Sequence, residues 1–312
     1  MIYIKRLYFI DYLNTGANCL QFVPFILHAS IMPVIGIIEI YNAFLEGKVE
    51  DQKLWRYYDL IKFLTLINGE LYFARADSFK DKYEGAIPKL TFQSMIENFR
   101  DYGTAKNKAD IILEFQKIFN EKRKKAAISC WHINDTESAA MWELYAKAGF
   151  GIAVNTTTER LANSLVIPDG YKMIMSQVNY IDFDTENDTD YIYNELLPFK
   201  NKRKEFIYEN EFRIILYKQK KESISVSSYP DETILEDKVS QRFHFGLENL
   251  PQEGVKVKVD PSQIILEILA SPHMKKYEVQ EIRRLLDIIN KNNNTNFTIR
   301  HSDIYDNLNY SK

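Results

Sequence analysis

The chain has 312 residues, 46% of them hydrophobic and 27% charged, with a net charge of −3 and a mean hydropathy of −0.32. These values suit a globular protein that buries a substantial core, and a near-neutral balance gives no global electrostatic attraction to DNA or anionic membranes. The cysteines, Cys19 and Cys130, supply neither a disulfide framework nor a cysteine zinc site, which points to a reducing, cytoplasmic setting.

Residues 1–50 read as a hydrophobic helical appendage, and residues 51–312 as a single α+β domain. Within the appendage, Phe22–Ile38 is mostly apolar and close to the shortest membrane-spanning length. Pro24, Pro33, His28 and Ser30 interrupt it, so a buried hairpin broken at Pro33 competes with membrane contact. LWRYY, starting at Leu54, has the aromatic content of a strand. Leu60, Ile61, Leu64 and Ile67 then fall at helical spacing, with Gly69 as a stop. LYFARA predicts a strand, and DSFKDKYEG a loop.

Leu90 to Lys125 predicts helix, interrupted around Gly103 and ending in the cationic run Lys122–Lys125. AAISCW is a buried-strand candidate. Asn134–Glu137 has capping-box spacing with Asn134 as the cap. The helix it opens would bury Met141, Leu144, Tyr145 and Ala148 and end at Gly149, with Trp142 off that stripe. FGIAV, SQVNYIDF and EFIYENEFRIILY follow as predicted strands, the last the longest. VKVKV and IILEILA are further strands. Val279, Ile282, Leu286 and Ile289 mark a helix, and TIRHS closes the pattern. Without regular βαβ alternation, the fold class is α+β: a mixed, mainly antiparallel sheet flanked by helices.

The segment YENEFR, Tyr208 to Arg213, is the main functional candidate. As a strand it puts Glu209, Glu211 and Arg213 on one face. That face is either solvated, or a cleft-facing carboxylate pair. In the second case crowding raises one pKa while Arg213 keeps the other carboxylate ionised. Arg56 is either a strand arginine with its head in water or a phosphate clamp. Ser129 is a core hydroxyl or a ligand group, and Trp142 either covers a ligand or caps the core edge. The histidines are scattered, none at metal-ligand spacing, and the acidic run Asp182–Asp190 lacks the glycine of a calcium loop. No metal is therefore expected. Lys200, Lys202, Arg203 and Lys204 read as a solvated face or a phosphate contact.

LWRYY, INGELYFARADSFKDKYEG, CWHINDTESAAMWELYAKAGFGIAV, KNKRKEFIYENEFR and IILEILASPHM, in this order, resemble an uncharacterised bacterial family known only as a domain of unknown function. That family has an MWxxYA block running into GFxI and a YExEWR strand. The resemblance runs from Leu54 to the C-terminus. Lys80, Lys82, His132 and Phe212 depart from its usual residues.

The order Arg56, Ser129, Glu209-Asn210-Glu211 is more distantly similar to the Arg–Ser–Glu pattern of ADP-ribosyltransferases. That similarity implies an NAD-consuming enzyme with NAD as substrate and a protein or nucleic-acid acceptor, acting as a toxin or in phage defence. Arg56 would hold the pyrophosphate, with Tyr57, Trp142 and Arg213 beside the nucleotide. Ser129 would orient Glu211, Glu211 would stabilise the oxocarbenium ion, and Glu209 would activate the acceptor. Arg56, Ser129 and Glu211 should then line one cleft. The alternatives are a non-catalytic ligand-binding or sensor module, and a metal-dependent nuclease or phosphodiesterase built on Glu209 and Glu211.

Overall fold

A computed structural model describes residues 51–100, 108–146, 150–188, 191, 194–218 and 247–306. The expected appendage with Phe22–Ile38, the break at Gly103, and Ala148 and Gly149 lie outside these residues. KLWRYY forms β1 (Lys53–Tyr58). Asp59 then caps α1 (Leu60–Ile67) by accepting the Lys62 N–H at 2.8 Å. The helix buries Phe63, Leu66 and Ile67 and leaves Ile61 72% exposed. It is thus rotated from the expected Leu60–Ile61–Leu64–Ile67 face, because a face carrying Phe63 removes more apolar area from water.

β2 (Glu70–Arg75) follows, then α2 (Lys89–Arg100) and α3 (Lys108–Lys122). These two helices share their own cluster of Met95, Ile96, Ile111, Phe115 and Phe119. β3 (Ala126–Ile133) leads to α4 (Ala139–Tyr145). Ser138, not Asn134, caps α4, its hydroxyl accepting the Met141 N–H, while the Asn134 side chain is taken by the Asp135 N–H. The buried face of α4 is Met141 and Trp142; Leu144 and Tyr145 point outward. The chain continues through β4 (Ile152–Thr157), α5 (Thr158–Ser164), β5 (Leu165–Val166), β6 (Tyr171–Gln177) and β7 (Asn179–Ile181). The single strand expected over SQVNYIDF is therefore broken at Val178, whose N–H turns to the Glu211 carbonyl. α6 (Leu197–Lys200), β8 (Asn201–Arg203), β9 (Glu211–Lys218), β10 (Val255–Val259), α7 (Pro261–Ile264), β11 (Glu267–Ala270), α8 (Lys276–Asn293) and β12 (Arg300–His301) complete the described elements.

The fold is α+β. The main sheet runs β12-β11-β4-β1-β3-β2-β10-β5, with β9 added to β3 and β6 to β9. All its pairings are antiparallel except β11 with β12; β7 and β8 pair in parallel as a small second sheet.

β3 is the hub. Along one edge it pairs with β9 from Ala126↔Tyr217 to His132↔Glu211. Along the other edge it is shared: Ile128 and Ala127 meet β2, while His132 and Ile133 meet β1. The sheet forks between these two contacts. Arg56 spans the fork, donating to Ser129 Oγ on β3 and to the Tyr72 carbonyl on β2 at 3.2 Å. One face of the sheet carries the largest core cluster, including Leu54, Tyr58, Trp131, Phe212 and Ile214, covered by α1 and α8. The other carries two smaller clusters, around Ile128 and Ile215 and around Trp55 and Trp142.

Candidate functional site

YENEFR is not a continuous strand. Lys204–Glu209 is a 3-10 helix, Asn210 sits in the left-handed region at φ 37, and the strand begins at Glu211. A non-glycine residue seldom adopts that conformation. Asn210 is held there by its side-chain amide, which donates to the Ile133 carbonyl at 2.8 Å. Across this kink the Glu209 and Glu211 carboxylates still meet, at a common cation.

That cation is Lys202 on β8. Its Nζ donates to Glu209 Oε2 at 2.5 Å and to Glu211 Oε1. Glu211 Oε2 accepts from Arg213 Nε at 2.6 Å. Arg213 then grips Glu84, from the loop after β2, through both amino groups, and donates to the Phe199 carbonyl at 2.8 Å. Glu209, Lys202, Glu211, Arg213 and Glu84 are all buried, Arg213 completely. The expectation of a solvated charged face at Glu209, Glu211 and Arg213 is therefore corrected, and so is that of a solvated Lys202. The cause is cover: β7, β8 and the Lys204–Glu209 turn lie over the start of β9. Tyr180 from β7 accepts the Glu211 N–H at 2.8 Å.

Burial pushes Glu209 up to about 8, helped by its hydrogen bond to Glu211 and the charge there, against Lys202. Burial works on Glu211 in the same direction, but Arg213, the Glu209 proton and Lys202 outweigh it and hold Glu211 well below the usual carboxylate range. The pair thus shares one proton at neutral pH, carried by Glu209. Burial also raises Glu84, against the charge and hydrogen bonds of Arg213, and Lys202 and Arg213 are the cations that face the three carboxyl groups. His132 lies opposite Glu211 across β3 and β9, and its Nδ1 donates to the Glu209 carbonyl at 2.6 Å. Burial lowers its pKa, so the neutral ring presents an unprotonated Nε2.

The other expected site residues go elsewhere. In an antiparallel pair, residues directly opposite share a face. Ser129 lies opposite Ile214, and Glu211 lies opposite His132. Ser129 is thus on the large-core face, where its hydroxyl accepts from Arg56 and from Trp131 Nε1 at 3.1 Å. Glu211 is on the reverse face. Arg56, Ser129 and Glu211 do not line one cleft: the register of β3 against β9 puts the first two on one side of the sheet and the third on the other. Arg56 also lies over the rings of Tyr58 and Trp131, at 5.1 and 5.6 Å to their centroids.

Tyr57 and Trp142 are on the Glu211 face but make a core joint. Their rings meet edge-on at 4.9 Å, Tyr57 Oη accepts the Ser138 N–H, and Trp142 Nε1 donates to Glu137 at 2.7 Å. Trp142 is fully buried within the cluster around Trp55. Among the described residues no group of three or more His, Cys, Asp or Glu side chains could hold a metal ion. Between Glu209 and Glu211, Lys202 Nζ occupies the space an ion would need. No described helix is long and apolar enough to cross a membrane.

Lys202, Glu84, Tyr180 and His132 belong to the site although sequence patterns did not single them out for it. Only Lys202 carried a signal, as one member of a basic run. The rim includes Phe206, which faces Lys202 Nζ at 4.9 Å, and Tyr145, half exposed, whose pKa is raised by burial and by Glu209 and Glu211.

Residues 141–214 match the model of a family described as a protein of unknown function (DUF2971). The match starts in α4 and ends four residues into β9, and it contains Lys202, Glu209, Glu211 and Arg213. No curated protein and no solved structure matches the chain.

Proposed function

We propose that Glu209 and Glu211 form the reaction centre of an enzyme that cleaves the glycosidic bond of a nucleotide, with NAD as substrate and ADP-ribosyl transfer as the overall reaction. The observation that carries this is the convergence of two carboxyl groups on one ammonium at a left-handed residue, with burial raising the pKa of Glu209 while Arg213 holds that of Glu211 down. Carboxyl pairs set apart in this way divide acid and base roles. Strained backbone concentrates at functional sites. Glu211, kept ionised by Arg213 and Lys202, would stabilise positive charge on the ribose as the base departs. Glu209, titrating near neutrality, would exchange the proton with the acceptor. Tyr145 and Phe206 supply ring surface at the rim for a nicotinamide or adenine. NAD itself comes from the sequence similarity to ADP-ribosyltransferases. Arg56 and Ser129 have no part in this centre, because they lie on the other face.

The test is nicotinamide release from labelled NAD, and label transfer to lysate, for wild type, Glu211→Gln and Glu209→Gln. Release by wild type, lost in Glu211→Gln at unchanged thermal stability, supports the proposal. No release and no calorimetric NAD binding by the wild type would rule it out. One observation favours a second reading, a non-catalytic binding module. Both oxygens of Glu211 are already engaged, by Lys202 and by a fully buried Arg213, as in a structural pin. A structural pin predicts that Glu211→Gln lowers stability and changes no turnover.

A further inference from the structure

A cavity of about 400 Å³ opens between the loop after β2 and the α2–α3 pair, and its lining includes none of Glu209, Lys202 and Glu211. It has the size of a small-ligand site. Gln116, Phe119, Asn120 and Arg123 line it from one stripe that continues down α3 into the turn beyond. Such spacing places side chains on a single helix face. Phe92 from α2 adds a second ring, lying 6.0 Å from Phe119 between centroids at 62°. The lining therefore pairs two aromatic rings with two carboxamides. It also has two cations, Arg123 and the exposed Lys82.

Arg123 carries the point furthest. It donates weakly through Nη2 to the Ala76 carbonyl at 3.4 Å, and its Nε is buried with no acceptor among the described residues. A buried guanidinium donor left unsatisfied is costly unless an acceptor arrives. Asp77, which feels the Arg123 charge, is already held by Arg75 through both oxygens. The wall opposite is preformed. Gly85 has φ +73, and a Cβ there would come within 2.6 Å of the Phe199 ring and 3.2 Å of Arg123 Cγ. No side chain fits at that position, and the loop is wedged in place. Ring surface for a flat group to lie against, amides to read its edge and an unsatisfied guanidinium for an anion describe one chemistry.

We infer that this cavity binds a small aromatic phosphate of mononucleotide size. Its anionic group would lie on Arg123 and Lys82, and its ring against the Phe92 and Phe119 pair. The site does not depend on the reaction assigned to Glu209 and Glu211.

The test is calorimetric titration with AMP, and with adenosine and inorganic phosphate as its halves. Support requires saturable AMP binding, each half at least about tenfold weaker, and at least about tenfold loss in both Lys82→Ala and Arg123→Gln. Lys82 is exposed, so its removal leaves the fold intact, and that variant decides if Arg123→Gln does not fold. Absence of AMP binding at millimolar concentration, equal affinity in wild type and Lys82→Ala, or phosphate binding as tightly as AMP each overturns the inference.

Discussion

Arg213 and Glu84, 129 residues apart in the chain, form a buried two-pronged ion pair behind Glu211. The guanidinium is thereby shared between two carboxylates, Glu84 and Glu211, with the Phe199 carbonyl as a third acceptor. Removing one partner from such a group leaves an uncompensated charge in the interior. Arg213→Met should lower unfolding stability by about 3–5 kcal/mol in urea titration. Arg213→Met combined with Glu84→Leu should cost less than the two single changes added together. Strict additivity would mean that the two residues do not act as a pair.

The proton on Glu209 gives a pH signature. Its folded pKa, about 8, lies above the ordinary 4.5, so folding takes up a proton. The stability it contributes is fully present below pH 4.5 and is lost as pH rises towards 8. Glu195, pushed up to about 7 by burial, acts in the same sense. Glu211, held low, acts only below its ordinary value, where stability rises with pH. His132 and Lys122, both lowered by burial, act in the opposite sense, so the difference is the test: from pH 5 to 9 melting temperature should fall more, or rise less, in wild type than in Glu209→Gln, which keeps the neutral form and can still accept from Lys202. Parallel curves for the two proteins would place the shared proton elsewhere.

Arg56 spans the fork in the sheet and should behave as a structural residue. Arg56→Ala loses charged hydrogen bonds to Ser129 and to the Tyr72 carbonyl, at a cost of about 2–3 kcal/mol. Its effect on turnover should follow the folded fraction alone. A fully folded Arg56→Ala protein with no activity would restore Arg56 to the reaction centre.

Asn210 offers a backbone test. Asn210→Gly keeps access to the left-handed region and loses only the amide bond to Ile133. Asn210→Ala loses the bond and must also force a Cβ into that conformation, at about 1–2 kcal/mol more. Chemical denaturation of the two variants separates the terms. Equal stabilities would show that the kink relaxes at little cost.

The contrast between legible and hidden features follows from how each signal is encoded. KLWRYY, AAISCW and VKVKV read correctly as strands because aromatic content, apolar runs and alternation are local. The fold class followed from their order. Glu209 and Glu211 were visible as neighbouring acids, but their geometry was not. A strand period was assumed through Asn210, the residue type in that segment best able to leave it. The sidedness of Ser129 and Glu211 depends on the β3–β9 register, which is settled by pairing across the chain. Lys202 sat inside a basic run, and such runs usually face water. Its burial arises because β8 pairs with β7 over the start of β9. Glu84 lay in a polar loop with nothing nearby to suggest an arginine 129 residues away.

β3 touches β1, β2 and β9, and each of those partners arrives from a different distance along the chain. No two neighbouring strands can zip into a hairpin that completes its edges. The central strand must wait for β9, so assembly of the sheet is a late and non-local event, of the kind that slows folding. Once formed, β3 is held along its whole β9 edge, while β1 and β2 close its other edge only at the two ends. Amide hydrogen exchange at Ser129 and Trp131, whose N–H groups face β9, should report global opening, with the slowest exchange in the molecule.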